Sequence, residues 1–219
     1  MLNTIDCTVY FNPCMSCYMY PILVKQNVNK YIYNTFVNNN NVPTSQQKWL
    51  LLYKNVNINW KVVYSYVFKC TRDSYIQWLQ TRISHRILPT NNLLYKMKLV
   101  DSKLCSFCEC CEETLVHLFW DCNKIQPVLK HIIETVNTVD SNIVINSLCV
   151  LLGSGNNNFK LDILFLEYKK IVFLCKRKKV VPTISLFNNS LKLAWEIYDN
   201  TKLSDKDRCN WAFVRLFLS

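Results

Sequence analysis

From about residue 71 onward, apolar side chains return every three or four positions, the spacing that gathers them on one side of an α-helix. Tyr75, Ile76, Leu79, Ile83 and Ile87 fall on one face at about 100° per residue, with Thr71 placed to cap the helix and Pro89 to end it. Thr90 can cap a shorter helix through Leu93, Leu94 and Met97. Pro127 suits the first turn of a helix carrying Val128, Leu129, Ile132, Ile133 and Val136. Phe159 to Lys179 reads as one long helix. After a break at Pro182 and Thr183, a further amphipathic helix takes Leu186, Leu191, Leu193, Ala194, Trp195 and Ile197 as its apolar positions. Earlier in the chain, Trp49, Tyr53, Trp60, Tyr64 and Tyr66 recur among lysines and predict one or two short helices. Strand alternation is scarce, so the expected fold is mainly α.

Breaks in the pattern suggest an organisation. The run Asn38 to Asn41 followed by Pro43 favours a turn over regular structure and marks a boundary near residue 44. The expected segments are residues 1–43, a helical domain over 44–140, and a basic helical region over 141–219. Asp140 to Leu152 reads as a loop and a short segment, closed by the turn at 153–156. No internal repeat is present.

One stretch departs from helical periodicity: Leu104 to Cys122, reading LCSFCECCEETLVHLFWDC. Cys105 and Cys108 are spaced so that one tight turn presents two sulfurs to the same ion, and His117 and Cys122 lie about a helical turn apart. Glu112, Glu113 and Thr114 form a polar lead-in to that helix, with Leu115, Leu118 and Phe119 on its apolar side. This is the pattern of a structural Cys-Cys-His-Cys zinc knuckle over 105–122. Cys110 or Cys111 can replace Cys108 on composition alone, although the gap after Cys105 favours Cys108. The same residues also read as reduced core cysteines beside a surface histidine. Cys7, Cys14 and Cys17 have no fourth partner at ligand spacing and are treated as ordinary thiols.

The net charge of +11 is unevenly spread. Residues 1–47, 48–104, 105–149 and 150–219 carry +1, +8, −4 and +6, so two basic flanks bracket an acidic knuckle. Basic surface at this density favours a polyanion, RNA or DNA, as partner; a merely solvated charged face is the plainer alternative. The candidate contacts are Lys69, Arg72, Arg82, Arg86, Lys96 and Lys98 on the first flank and Lys176, Arg177, Lys178 and Lys179 on the second. Trp78, on the same side of its helix as Arg82 and His85, offers a ring for base stacking. Equally, Trp78 can be core and Arg82 can pair with a carboxylate. The Lys176 to Lys179 quartet suits nucleic acid, a nuclear import signal or simply the negative end of a helix dipole.

With 50% hydrophobic residues, the 219-residue chain can fill a core. Only Gly153 and Gly155 are glycines, which excludes glycine-rich phosphate loops. Twelve cysteines without a signal-peptide pattern at Met1 to Cys17 imply reduced thiols and an intracellular location, nuclear or cytoplasmic. Asp162, Glu167, Lys169 and Lys170 interrupt the best candidate membrane span, so no membrane association is expected.

The run from Phe68 to Cys122 resembles the zinc-binding segment that follows the polymerase in LINE-type non-LTR retrotransposon reverse transcriptases. The shared pieces stand in the family's order: IQW at Ile76–Trp78, HRIL at His85–Leu88 followed after Pro89 by Thr90–Asn91, the Cys105-x-x-Cys108 turn, then Glu113–Thr114 and His117–Trp120 before Cys122. A weaker likeness continues through LLG at Leu151–Gly153 and PTISLF at Pro182–Phe187, so the resemblance covers about residues 44–200. It implies that Cys105, Cys108, His117 and Cys122 are the zinc ligands, that template RNA or target DNA is held beside a separate polymerase region, and that the polymerase and endonuclease parts are missing.

No catalysis is expected. The adjacent aspartates of a reverse transcriptase are absent. A site with three thiolates is closed, unlike the open position a zinc hydrolase keeps. His85 and His131 have no nucleophile whose pairing can be read from the chain, and no small-molecule substrate is indicated. Two readings follow: a non-catalytic nucleic-acid-binding module, or a zinc-stapled module that binds protein.

Overall fold

The computed structural model describes residues 42–54, 56–155 and 158–200, with Trp211 and Val214. Cys7, Cys14, Cys17 and the Asn38 to Asn41 run lie outside the described residues. The chain divides into two compact units, Met1–Gln47 and Lys48–Ser219. Apart from residues 42–47, everything described below lies in the second, so the helices beyond residue 140 complete the core of residues 48–140 and do not make a separate body.

Among the described residues the structure is helical: α1 (Thr44–Leu52), α2 (Trp60–Cys70), α3 (Ser74–Ser84), α4 (Asn91–Lys96), a π-helical turn (His117–Asp121), α5 (Gln126–Val139), α6 (Ser147–Leu152), α7 (Phe159–Lys178) and α8 (Ile184–Asp199). The only extended pairing among them is a single antiparallel bridge between Leu104 and Glu112. No described helix is long and apolar enough to cross a membrane.

Helix α7 is the axis. Every residue from Leu161 to Lys169 is buried, and α2, α3, α6, α8 and the π-turn pack around it. A helix apolar on nearly all sides is stable only inside a core. Its charged residues had read from the sequence as breaks in a span. Here Asp162, Glu167 and Lys169 are internal and Lys170 is partly exposed. Asp162 accepts hydrogen bonds from the Ser154 N–H (2.7 Å) and hydroxyl (3.2 Å), and Lys169 Nζ donates to Gln80 Oε1 (2.6 Å) and Tyr66 Oη (3.2 Å). Gly153, at φ 96°, lets the Tyr66 ring approach so closely that a Cβ there would lie 3.1 Å from it.

Several helix ends differ from expectation. The cap of α3 is Asp73, whose carboxylate accepts from the N–H groups of Tyr75 (2.8 Å) and Ile76 (3.4 Å), while Thr71 closes α2. Nor does α3 reach Pro89. It stops at Ser84 because Arg86 takes a left-handed φ of 57° and Ile87 N–H turns back to the Arg82 carbonyl at 2.9 Å, leaving Ile87 54% exposed. The same device ends α4 at Lys98 (φ 57°) and α7 at Lys179 (φ 55°). With so few glycines, basic residues occupy positions that glycine normally fills. The cap expected at Thr90 is present, Pro127 lies in the first turn of α5, and Thr183, expected only as part of a break, caps α8. In α8, only Phe187, Leu191 and Ala194 are buried, whereas Leu186, Leu193 and Ile197 face outward.

Candidate metal centre

The chain from Leu104 to Glu112 folds back on itself. Cys105 N–H bonds to the Cys111 carbonyl (2.8 Å), Glu109 N–H bonds to the Cys105 carbonyl (2.9 Å), and Glu109 takes a φ of 55° to make the reversal. This turn holds Cys105 and Cys108. The other pair comes from the π-turn. In an ordinary α-helix, residues five apart differ by about 140° around the axis. The wider turn, closed by Cys122 N–H to the His117 carbonyl at 2.9 Å, brings His117 and Cys122 to the same side. The carbonyls it leaves over are satisfied by side chains: Tyr168 Oη donates to Phe119 (3.0 Å) and Gln126 Nε2 to Trp120.

The four ligand atoms of Cys105, Cys108, His117 and Cys122 all lie within 4.8 Å of one another. Cys105 Sγ and Cys122 Sγ are 3.8 Å apart, and Cys108 Sγ is 3.3 Å from His117 Nε2. Two sulfurs bound tetrahedrally at ~2.3 Å to one ion would sit ~3.8 Å apart, so the donor set fits a single metal ion. The sulfurs are too far apart for a disulfide. Phe107 N–H points at Cys105 Sγ (3.4 Å). Burial opposes ionisation of Cys108, but the N–H groups of Cys110 and Cys111, together with His117 and Cys105, outweigh it and bring the thiol down to about 6. Burial pushes Cys105 up to about 12 and also raises Cys122. Cys110 and Cys111 are exposed and outside the cluster; Cys110 turns its thiol to the Cys108 carbonyl (2.9 Å).

A buried hub that the sequence reading missed fixes this knuckle to the core. Glu113, fully buried, accepts from Asn91 N–H (2.7 Å), Ser106 N–H (2.9 Å) and the Ser106 hydroxyl (2.8 Å), and pairs with Lys176 Nζ at 3.0 Å. Asn91 in turn donates to the Leu104 carbonyl (2.7 Å) and accepts from Lys176 (3.0 Å). The start of α4, the ligand turn and the end of α7 thus meet at one carboxylate. Neighbouring Glu112 instead pairs with Lys103 at the surface. Alternation through the Leu104 bridge separates the two acids, a period-two signal hidden in a cysteine-rich stretch.

The expected nucleic-acid contacts fall into two groups. Lys69, Arg72, Lys96, Lys98, Arg177, Lys178 and Lys179 are exposed. Trp78 is 39% exposed, stacked on Tyr75 at 5.6 Å and close to Phe173, with the Arg82 guanidinium 4.4 Å over its ring. Two residues are committed elsewhere. Lys176 is held in the Glu113 hub, and half-buried Arg86 lies 4.6 Å over the Trp49 ring. Comparison of the chain with known protein families, with characterised proteins and with solved structures gave no match.

Proposed function

We propose that the chain is a non-catalytic module in which one structural zinc ion, held by Cys105, Cys108, His117 and Cys122, braces a helical surface that binds RNA or DNA. Three thiolates and one imidazole are the soft, tetrahedral set that suits zinc, and with all four positions filled by protein no place is left for a substrate. The observation that carries the reading is the division of labour among the charges. Of the four acidic residues of the knuckle, Glu113 is buried against Lys176 and Glu112 is paired with Lys103, which leaves Glu109 and Asp121 as the remaining exposed acids there, while Lys69, Arg72, Lys96, Lys98 and Arg177 to Lys179 stay in solvent. Arg82 over Trp78 adds a flat cationic stack of the kind on which an unpaired base settles. The motifs between Phe68 and Cys122 support assigning this module to the region after the polymerase of LINE-type reverse transcriptases. Metal analysis should give one zinc per chain. Anisotropy across a salt series should give affinity that falls steeply with salt, since phosphate contacts release counterions.

One observation favours a second reading, a protein-binding module. Tyr95, Met97, Leu99 and Leu104 are between 40% and 64% exposed along α4 and the approach to the knuckle. Binding through these side chains would be largely insensitive to salt, so the same titration separates the two.

A further inference from the structure

Among the polar atoms of the core, the Glu167 carboxylate is short of donors. The residue is 2% exposed, and Oε2 has no hydrogen-bond partner; Lys170 Nζ stands 3.4 Å away but is hydrogen-bonded to Asp73 Oδ2 at 3.0 Å. A buried carboxylate oxygen without a donor is costly. Glu167 lines a cavity of about 320 Å³ with Arg72, Asp73, Lys170 and Tyr198 over an apolar floor of Ala194 and Ile197. Tyr198 is fixed: its hydroxyl bonds Thr71 and accepts from Arg72 N–H (3.2 Å), and its ring stacks on Trp211 at 4.1 Å. A second, smaller cavity of about 160 Å³, bordered by Phe68 and Lys69, shares Arg72 and Tyr198 with the first.

A ligand that completes this cavity needs an N–H donor for Glu167, a flat body to lie against the tyrosine wall, and an anion for the exposed Arg72. We propose that it receives an amino-bearing base, cytosine or adenine, of an unpaired nucleotide. The exocyclic amine donates to Glu167, Lys170 faces the neighbouring ring acceptor, and Arg72 binds the adjoining phosphate. The next nucleotide follows the basic rim past Lys69 into the smaller cavity. This inference rests on the nucleic-acid-binding reading and adds base preference to it. A carboxylate accepting from the cytosine amine is an established pairing, and burial pushes the Glu167 carboxyl up to about 7, a group ready to be stabilised as the anion by a donor.

The test compares the zinc-loaded full chain on labelled oligo(C) and oligo(U) of about ten nucleotides, which differ in an amine against a carbonyl at one ring position and in an acceptor nitrogen against an N–H at the next. The wild type should bind oligo(C) about tenfold tighter, the worth of one hydrogen bond to a charged group. Glu167→Met should lose most of the preference, bringing oligo(C) close to the oligo(U) affinity, with only the Lys170 contact to the ring acceptor left to favour oligo(C). Arg72→Ala should weaken both and keep their ratio. Equal affinity of the wild type for the two strands overturns the inference and leaves the nucleic-acid reading standing, whether or not the Glu167 variant folds. Failure to bind either strand at low salt overturns both.

Discussion

Lys176 Nζ lies 3.0 Å from Glu113 Oε1, with the two side chains 10% and 0% exposed. A cation placed by the sequence among phosphate contacts is instead the last link of the knuckle. Removing one partner of a buried pair leaves the other uncompensated at roughly 3–5 kcal/mol. Lys176→Met should therefore lower stability by about 3 kcal/mol, moderated by the N–H donors that Glu113 keeps, as read from urea unfolding. It should also loosen the metal, measured by competition with a chelator.

Ligand identity is tested by cysteine. Cys108→Ser should lose the bound metal, whereas Cys110→Ser and Cys111→Ser should each retain one equivalent in elemental analysis, because those thiols stand outside the cluster. Loss of metal in either of the latter would revise the ligand set.

Arg82 and Arg86 should part company. Arg82→Ala should flatten the salt dependence of binding by about one unit. Arg86→Ala should leave the slope unchanged and destabilise the fold by about 1–2 kcal/mol through loss of the guanidinium over Trp49.

Stability should vary with pH through two buried groups on α7. Burial pushes Lys169 down from 10.5 to about 7. Between those values the unfolded chain binds the extra proton, so stability rises with pH. Burial raises Glu167 from 4.5 to about 7, so between those values the folded chain binds the extra proton and stability falls with pH. A shallow minimum near neutrality follows. Above about pH 9 the raised Cys70 and Cys149 thiols oppose further gain, so the Lys169 effect is read between 7 and 9. The depressed Cys108 thiol adds to the rise in that window, so Lys169→Met should reduce the rise without removing it in chemical denaturation at stepped pH.

Lys98 holds a left-handed conformation that costs a side-chain-bearing residue roughly 1 kcal/mol. Lys98→Gly should raise the unfolding free energy by about that much, visible as a higher melting temperature.

The helical periodicity of α3 and α5, the cap at Thr90 and the four clustered positions Cys105, Cys108, His117 and Cys122 were legible because each depends on neighbours in sequence. What escaped was decided at long range. Only a short period-two alternation, masked by cysteines, distinguishes Glu113 from Glu112, and nothing local says that Lys176 will meet a carboxylate across the fold. The sidedness of α8 was misjudged because Leu186, Leu193 and Ile197 satisfy an apolar pattern that the core never uses. The π-turn likewise has no signature beyond a His-to-Cys gap one residue too long for an α-helical turn.

Asn91 and Lys176 meet in the knuckle although 85 residues separate them in sequence. A chain made from its N-terminus presents all four ligands to the cell well before the end of α7 leaves the ribosome. On the proposed zinc-binding reading, metal capture and its locking are therefore separate events in the life of the molecule. A nascent or prematurely terminated chain would then hold an ion loosely in an unbraced turn, and only completion of α7 would make that hold tight.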